Sequence, residues 1–440
     1  MNRRILDLAI PNIISNISIP LLGIVDMALM GRMKSDSYIG AIALGSLIFN
    51  FIYWGLGFLR MGTSGFTAQA WGRRDIKETI MVFSRAAFIG LLISIILILL
   101  QGPIEWLGFL VLNGEEEVEQ LAATYFRIRI WAAPAALGQF AFLGWFLGMQ
   151  NARLPMVVLV TTNIINIICN YIFVMVAGMG SDGVALGTVI AQYSGLALSI
   201  FLFTRYFRRL FKYFSHKVLF HWGKLKEFLS VNQDIFIRTM CLVIVFSFFT
   251  ARSATSDTVS GGEETILAVN SLLMQFFMFF SFLIDGFAHA SEALTGKFIG
   301  AHNKSSLTRT IRLLFIWGGG ISIFFTLLYL TGSEPILRIL TNNQDVITNA
   351  RPYYFWVILI PVVSFSAFLW DGIYIGATAG KEMRNSMLIS MVLVFFPAYF
   401  VLDRFLDNHG LWFAFILFMA SRAATMTMLA RKAVYSKTQK

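Results

Sequence analysis

LAIPNIISNISIPLLGIVDMALMGR, residues 8–32, is the stretch on which the reading of this chain turns. From Ile10 to Val25 it is mostly apolar and carries no charge, and it then carries Asp26 among Val, Met, Ala and Leu. A charge at the bilayer centre costs roughly 2.5–3.5 kcal/mol on insertion scales, so such a residue is shielded inside a bundle and is a functional candidate by default. Asp26 lies about one turn before Gly31 and Arg32, in the outer part of the helix. Two readings follow. Either it snorkels to water or pairs with Arg32, or it faces a cavity as an ion or proton site. In the second case desolvation favours its neutral form and lets it take up and release a proton.

The composition generalises this stretch to the whole chain. Of 440 residues 57% are hydrophobic and 13% charged, about half the charged share of a soluble domain, and the mean hydropathy is +0.71. Apolar segments of about 20 residues, enough to span the hydrocarbon core, recur from end to end. The class is an all-α polytopic membrane protein; a β-barrel would show shorter, alternating segments. The first helix is expected to stay in place, because its apolar part is too long for a signal-peptide core and no small-residue cleavage site precedes the next span. Cys169 and Cys241 fall inside predicted helices and read as packing residues, not as a disulfide or a metal site. The net charge of +11 sits in short loops between spans, so topology explains it and no nucleic-acid partner is expected. The expected partners are the lipid bilayer and small solutes, with the chain acting as a monomer.

Twelve helices are predicted, at about 5–30, 38–70, 82–101, 119–149, 154–177, 183–205, 224–252, 263–297, 310–331, 347–378, 384–402 and 410–431. The loops alternate in charge. WGRRDIK, NAR, RYFRRLFKYFSHK, GKFIGAHNKSSLTRTIR, GKEMRN and the tail RKAVYSKTQK share a side with Arg3 and Arg4, whereas NGEEEVEQ, GMGSDG, SDTVSGGEE and NNQD lie opposite. Positive loops stay inside, so both termini are predicted to be cytoplasmic, in a cell (inner) membrane. The longest basic connection divides the chain into an N-terminal lobe over 1–210, a linker over 211–223 and a C-terminal lobe over 224–440. The halves repeat at a spacing near 227: Arg85 with Arg312, Pro134 with Pro361, and Gly144 and Gly148 with Gly372 and Gly376 after one inserted residue. Six spans per half make the repeats parallel, giving two pseudo-symmetric six-helix lobes. Parallel repeats of this kind are a transporter signature.

The polar residues inside the spans are the candidates for chemistry. TTNIINIICNYIF in the fifth span places Asn163, Asn166 and Asn170 at three- and four-residue spacing, on one helix face. One buried Asn is often interhelical glue; three on a face suit the lining of a wet cavity, to which Thr188 adds a hydroxyl. Pro11 removes a backbone hydrogen bond in helix 1 and invites a kink, functional or static. In the second half, Asp234 and Arg238 at i,i+4 read as a pair. Asp285, His289 and Glu292 share roughly one face, and Asp371 sits near mid-depth in the tenth span. Asp285 and Asp371 are candidates to line a cavity, with a structural ion-pair network as the alternative. The 19 Met and 43 Phe are mostly packing or lipid-facing residues, though some would suit a promiscuous pocket.

These residues resemble those of the multidrug and toxic compound extrusion (MATE) transporters, in the bacterial DNA-damage-inducible F (DinF) branch. The resemblance covers nearly the whole chain. It rests on the opening stretch, on YFRIRIWAAPAALGQFAFLGWFLGMQNARLPM, on NIINIICNYIFV with GSDGVALGTVIAQ, and on LSVNQDIFIRTMCLVIVFSFFTARSA. It implies two six-helix lobes in a V that alternate between outward- and inward-open states. It also implies export of amphipathic, often cationic compounds in exchange for protons or sodium, with no other cofactor. The family's first-helix proline and aspartate fall on Pro11 and Asp26, its helix-5 asparagine on Asn166 and its helix-6 threonine on Thr188. One departure matters: many prokaryotic relatives carry a second carboxylate where this chain has Asn170. That leaves Asp26 as the one carboxylate of the first-lobe site and favours protons over sodium, although Asn170 can still donate an oxygen to sodium.

A lipid-linked oligosaccharide flippase of the same superfamily is the alternative; it would need a strongly cationic central cavity, for which Arg60, Arg127, Arg129, Arg238 and Arg252 are available. The aspartate and glycine that should precede WGRRD in a major-facilitator loop are missing. An intramembrane enzyme is disfavoured, since no metalloprotease, nucleophile-elbow, P-loop or aspartate-rich metal motif occurs.

Overall fold

The computed structural model describes residues 1–31, 36–112, 115–214, 221–255 and 263–438, without the side chains of 26–28, 30, 36, 111–112, 263–265 and 333. Eleven helical segments among them are long and apolar enough to cross a membrane. The last, Gly380–Thr438, holds two spans broken at Asp407, whose φ of 47° and ψ of −129° interrupt the helix. The fold is thus the twelve-span, all-helical one expected, in two pseudo-symmetric halves.

The first half begins with α1 (Asn2–Met30), which carries Pro11 and Pro20 in its interior. The second span is α2 (Asp36–Leu56) and α3 (Phe58–Gly72), offset at Gly57, whose N–H turns back to the Trp54 carbonyl. Then come α4 (Ile76–Leu99), the shorter α5 (Gln101–Leu112), and α6 (Glu116–Arg129) continued through a tight turn into α7 (Ala133–Gly148). α8 (Arg153–Tyr171), prolonged by a π-turn over Ile172–Val176, and α9 (Ser181–Phe207) complete it. The second half repeats the order with α10 (Trp222–Ala254), α11 (Glu263–Gly300), α12 (Lys304–Thr331), the short α13 (Ser333–Leu340) and α14 (Gln344–Ala350). It ends with α15 (Tyr354–Gly376), α16 (Gly380–Leu388) with its π-turn at Ile389–Phe395, and α17 (Phe396–Ala433). By compactness the chain divides into one unit of Ile10–Leu229 and another of Ser230–Lys440 with Met1–Ala9.

The repeat is sharpest where helices touch and where they end. Gly144 and Gly148 of α7 lie directly on the backbone of α3; a β-carbon there would meet the Arg60 and Ser64 carbonyls. Gly372 and Gly376 of α15 lie in the same way on the Ala288 and Glu292 carbonyls of α11. Small residues let two membrane helices approach closely enough for dispersion to hold them where no hydrophobic force acts between them. α3, α7, α11 and α15 then stop alike. Arg74, Gln150, His302 and Thr378 sit in the left-handed region with φ of 60°, 65°, 50° and 49°. Each donates its N–H to the carbonyl three residues back, and the next residue donates five back: Arg74 to Trp71 and Asp75 to Ala70, and likewise Gln150, His302 and Thr378 with their successors. This is the Schellman stop, which satisfies carbonyls left open at a helix end and usually takes glycine. Here none of the four is glycine, and the positions pair at a separation of 228. After two of the stops Asp75 and Asn303 cap the next helix, accepting from Glu78 and Ser306 N–H at 2.9 Å.

The repeated arginines diverge. Arg85 is buried and donates to Glu78 at 2.9 Å, whereas Arg312 is exposed. The two cysteines are free.

Candidate functional site

The helix-5 asparagines do share a face, and the structure joins them to helix 6. Asn170 Nδ2 donates to Asn166 Oδ1 at 3.1 Å, and Asn166 Nδ2 donates to Thr188 Oγ1 at 3.1 Å. The Thr188 hydroxyl in turn donates a hydrogen bond to the Val184 carbonyl at 2.9 Å. Asn166 and Asn170 are buried. Residues four apart on α8 lie one above the other, and the packing of α8 against α9 brings Thr188 to the end of the row. The result is a chain of neutral donors and acceptors.

Asn163 points to a different partner. Its Nδ2 donates to Ser18 Oγ of α1 at 2.9 Å. Ser18 donates to the Ser15 carbonyl at 2.7 Å, and the Ser15 hydroxyl to the Pro11 carbonyl at 2.9 Å. Polar links therefore run from the Pro11 turn of helix 1 to helix 5. Serine hydroxyls bonded to carbonyls one turn back also bend a helix. Pro20, with no N–H to donate, lies two residues beyond Ser18 and sits next to the cavity-lining Ile19.

Two cavities of about 320 and 200 Å³ open between these helices, sharing Arg129, Thr162, Asn163, Thr188 and Gln192. Asn166 lines the larger, with Ile19, Leu22 and Gly23 of α1. Arg129 is held above the Phe49 ring, 4.8 Å from its centroid, and donates to Ser46 at 3.1 Å and to the Tyr125 hydroxyl. Gln139 Nε2 donates to Gln192 Oε1 and to its carbonyl, both at 2.8 Å. The sequence reading missed Ser18, Pro20, Gln139 and Gln192 altogether, and gave Arg129 only to the alternative function. Asp26 lies in α1, three residues past Gly23; its side chain is outside the described residues. The site therefore offers amide and hydroxyl oxygens, one guanidinium and an apolar wall, suited to holding a small ion among neutral oxygens beside an organic solute.

The second unit is built differently. Asp371 accepts from both Arg238 and Arg422, the latter at 2.6 Å, with all three side chains at most 9% exposed. Asp285 lies within electrostatic reach of Arg422. Asp234 pairs with Arg384 at 2.6 Å. The expected i,i+4 pair of Asp234 with Arg238 is thus replaced by two pairs between helices. Both side chains leave α10, but Arg384 of α16 and Asp371 of α15 offer each of them a partner on another helix. Glu292, 1% exposed, has His289 Nδ1 at 3.6 Å.

Comparison with known proteins agrees with this architecture. The MatE family model matches twice, over residues 11–172 and 236–400. The chain is 35% identical to DNA damage-inducible protein F of Escherichia coli (strain K12), covering 97% of this chain and 91% of that one. It is 25% identical to a probable multidrug resistance protein NorM of Thermotoga maritima, over 79% and 74% of the two chains. Among solved structures, a MATE protein in its bent conformation superposes with a TM-score of 0.85 at 19% identity, covering all of this chain and 96% of the other.

Proposed function

The chain belongs to the MatE family, that of the multidrug and toxin extrusion transporters, and from that premise we propose that it exports amphipathic compounds, cationic ones among them, in exchange for protons. It is a multi-pass membrane transporter and not an enzyme. The observation that carries the coupling proposal is the neutral chain Asn170–Asn166–Thr188 beside the first-lobe cavity. With asparagine at 170, Asp26 is the single carboxylate of the coupling set Asp26, Asn166, Asn170 and Thr188, and one proton is enough to neutralise it. A sodium ion would draw instead on the amide and hydroxyl oxygens.

In this mechanism Asp26 takes a proton from outside. Neutralising it lowers the cost of burying it, helix 1 bends near Pro11, and the cavity repacks and expels its solute. The Ser15–Ser18–Asn163 links give that bend a path to helix 5. Return to the inward state releases the proton to the cytoplasm, where both termini lie in this reading. The lobes that alternate are 1–210 and 224–440, joined by 211–223, in the inner membrane. Exchange requires the proton and the solute to bias the two states oppositely. The flippase alternative loses ground because Arg127 and Arg238 are paired with the carboxylates of Glu105 and Asp371, and of the five arginines Arg129 alone lines the two first-unit cavities.

The test is dye movement in proteoliposomes under an imposed pH gradient, then under a sodium gradient, with Asp26→Asn beside wild type. The expected outcome is movement with protons alone, falling in the variant to the level of empty liposomes. Normal export by Asp26→Asn would sink the coupling role. Movement under sodium alone would assign the asparagines to a sodium site.

A further inference from the structure

At the end of the second unit where α12 begins and α17 ends, a cavity of about 580 Å³ is lined by Lys304, Arg431, Lys432, Tyr435, Ser436 and the apolar pair Met428 and Leu429. Three cationic side chains converge on it from two places more than a hundred residues apart, and no acidic residue lines it. Each of the three is exposed, and among the described residues none has an ion-pair partner. Loop charge that merely sets topology needs only to lie on one side of the membrane; it has no reason to gather round one hollow without counter-ions.

The hollow is also held in shape. The chain leaves α17 through a short 3-10 turn, Tyr435–Thr438. Lys437 in that turn donates to the Ala377 and Thr378 carbonyls at 2.6 and 3.2 Å, where α15 stops. This fixes Tyr435 and Ser436 over the cavity. Below them Met428 is 80% exposed, an apolar side chain directed outward one turn before Arg431 and Lys432. Positive charge beside an exposed apolar side chain, at the end of a membrane span, matches one kind of molecule: an anionic head with hydrocarbon tails.

We propose that this cavity is a binding site for the head group of an anionic phospholipid from the adjacent leaflet. The phosphate would accept from Lys304, Arg431 and Lys432, the Tyr435 hydroxyl would serve a remaining head-group oxygen, and the acyl chains would lie along Met428; the Ser436 hydroxyl is already given to the Lys432 carbonyl. Basic pockets at the ends of membrane helices recognise such lipids, each Lys or Arg near the charged surface contributing roughly fivefold in affinity. The site is independent of the coupling residues, so its failure and theirs are separate results.

The test is binding of phosphatidylglycerol to the detergent-purified full chain, counted by native mass spectrometry and checked by thermal stability. Phosphatidylcholine and glycerol 3-phosphate serve as the tail-bearing zwitterion and the tail-free anion. The expected result is retention of phosphatidylglycerol alone, with affinity falling on the order of a hundredfold in Lys304→Gln/Arg431→Gln/Lys432→Gln. Lys304→Arg/Lys432→Arg, which keeps charge and fold, should retain it. Equal retention of phosphatidylcholine would overturn the proposal, as would unchanged affinity in the triple variant. If that variant does not fold, Arg431→Gln alone should weaken binding about fivefold, and no change there counts against the site. Equal binding of glycerol 3-phosphate would make the cavity a soluble-anion site and overturn the lipid assignment.

Discussion

The two halves share a fold, yet the polar cluster beside the first-unit cavity is neutral and the one around Asp371 in the second is charged. The first-unit site joins Asn170, Asn166 and Thr188 by neutral hydrogen bonds near 3.1 Å. In the second unit, Asp371 is clamped by Arg238 and Arg422. A neutral hydrogen bond is worth only about 1 kcal/mol net, because donors and acceptors exchange partners at little cost. A buried ion pair is different: removing one partner strands a charge in low dielectric and costs about 3–5 kcal/mol. The same scaffold therefore carries one polar cluster that can rearrange and one that must stay assembled.

The largest effect is expected in the second cluster. Asp371→Asn leaves two buried guanidiniums facing each other and should destabilise the protein by about 3–5 kcal/mol, read by denaturant or thermal unfolding in detergent. A loss below about 1 kcal/mol would mean that water or another acid already serves the arginines, and the contrast would fail. Next comes Asn166→Ala, which cuts the first-unit chain at its centre. It removes the acceptor of buried Asn170 Nδ2 and should cost about 1–3 kcal/mol of stability, while proton-driven dye export drops at least about tenfold. Equal losses of stability at Asn166 and Asp371 would erase the distinction between a rearranging and a fixed cluster.

The smallest effect concerns a charge outside both. The Arg338 guanidinium bonded to Glu334 at 2.8 Å, with Arg351 at 3.2 Å, holds the Glu334 carboxyl below its ordinary range. A folded-state carboxyl depressed in this way stabilises above its unfolded pKa, and the contribution disappears as pH falls through the folded value. Because the group is exposed, solvent screens it and the effect is slight. Amide exchange in α13 should be slower in wild type than in Glu334→Gln at neutral pH, and the difference should vanish in acid. A difference that persisted in acid would rule the ion pair out as its source.

What the sequence revealed, and what it hid, follows from range. Hydropathy shows the twelve spans because each is a local property, and the glycines and prolines at a spacing near 227 show the repeat. Asn166, Asn170 and Thr188 were legible because two of them share a helix face and the third follows from the resemblance. Gln139 and Gln192 were not, because their bond joins positions 53 apart in sequence and nothing local marks them. Asp234 and Arg238 were misread for a related reason. Spacing of four permits a pair, but whether it forms depends on competitors from other helices, here Arg384 and Asp371. Pro20 was visible and overlooked beside Pro11. Asp26, the residue that first drew notice, rests on its chemistry and on the resemblance, since its side chain lies outside the described residues.

The four left-handed helix stops have an evolutionary meaning. A non-glycine residue in that conformation costs roughly 1–2 kcal/mol, and a single change to glycine would relieve it. Yet Arg74 and His302 form one pair, Gln150 and Thr378 the other, with the same backbone bonds in both halves. A duplicated ancestor of half this length would have carried these turns once. The side chains now differ between the halves while the carbonyl and amide pairing is the same. Within this chain the backbone thus keeps a record of the repeat that the side chains at these four positions do not.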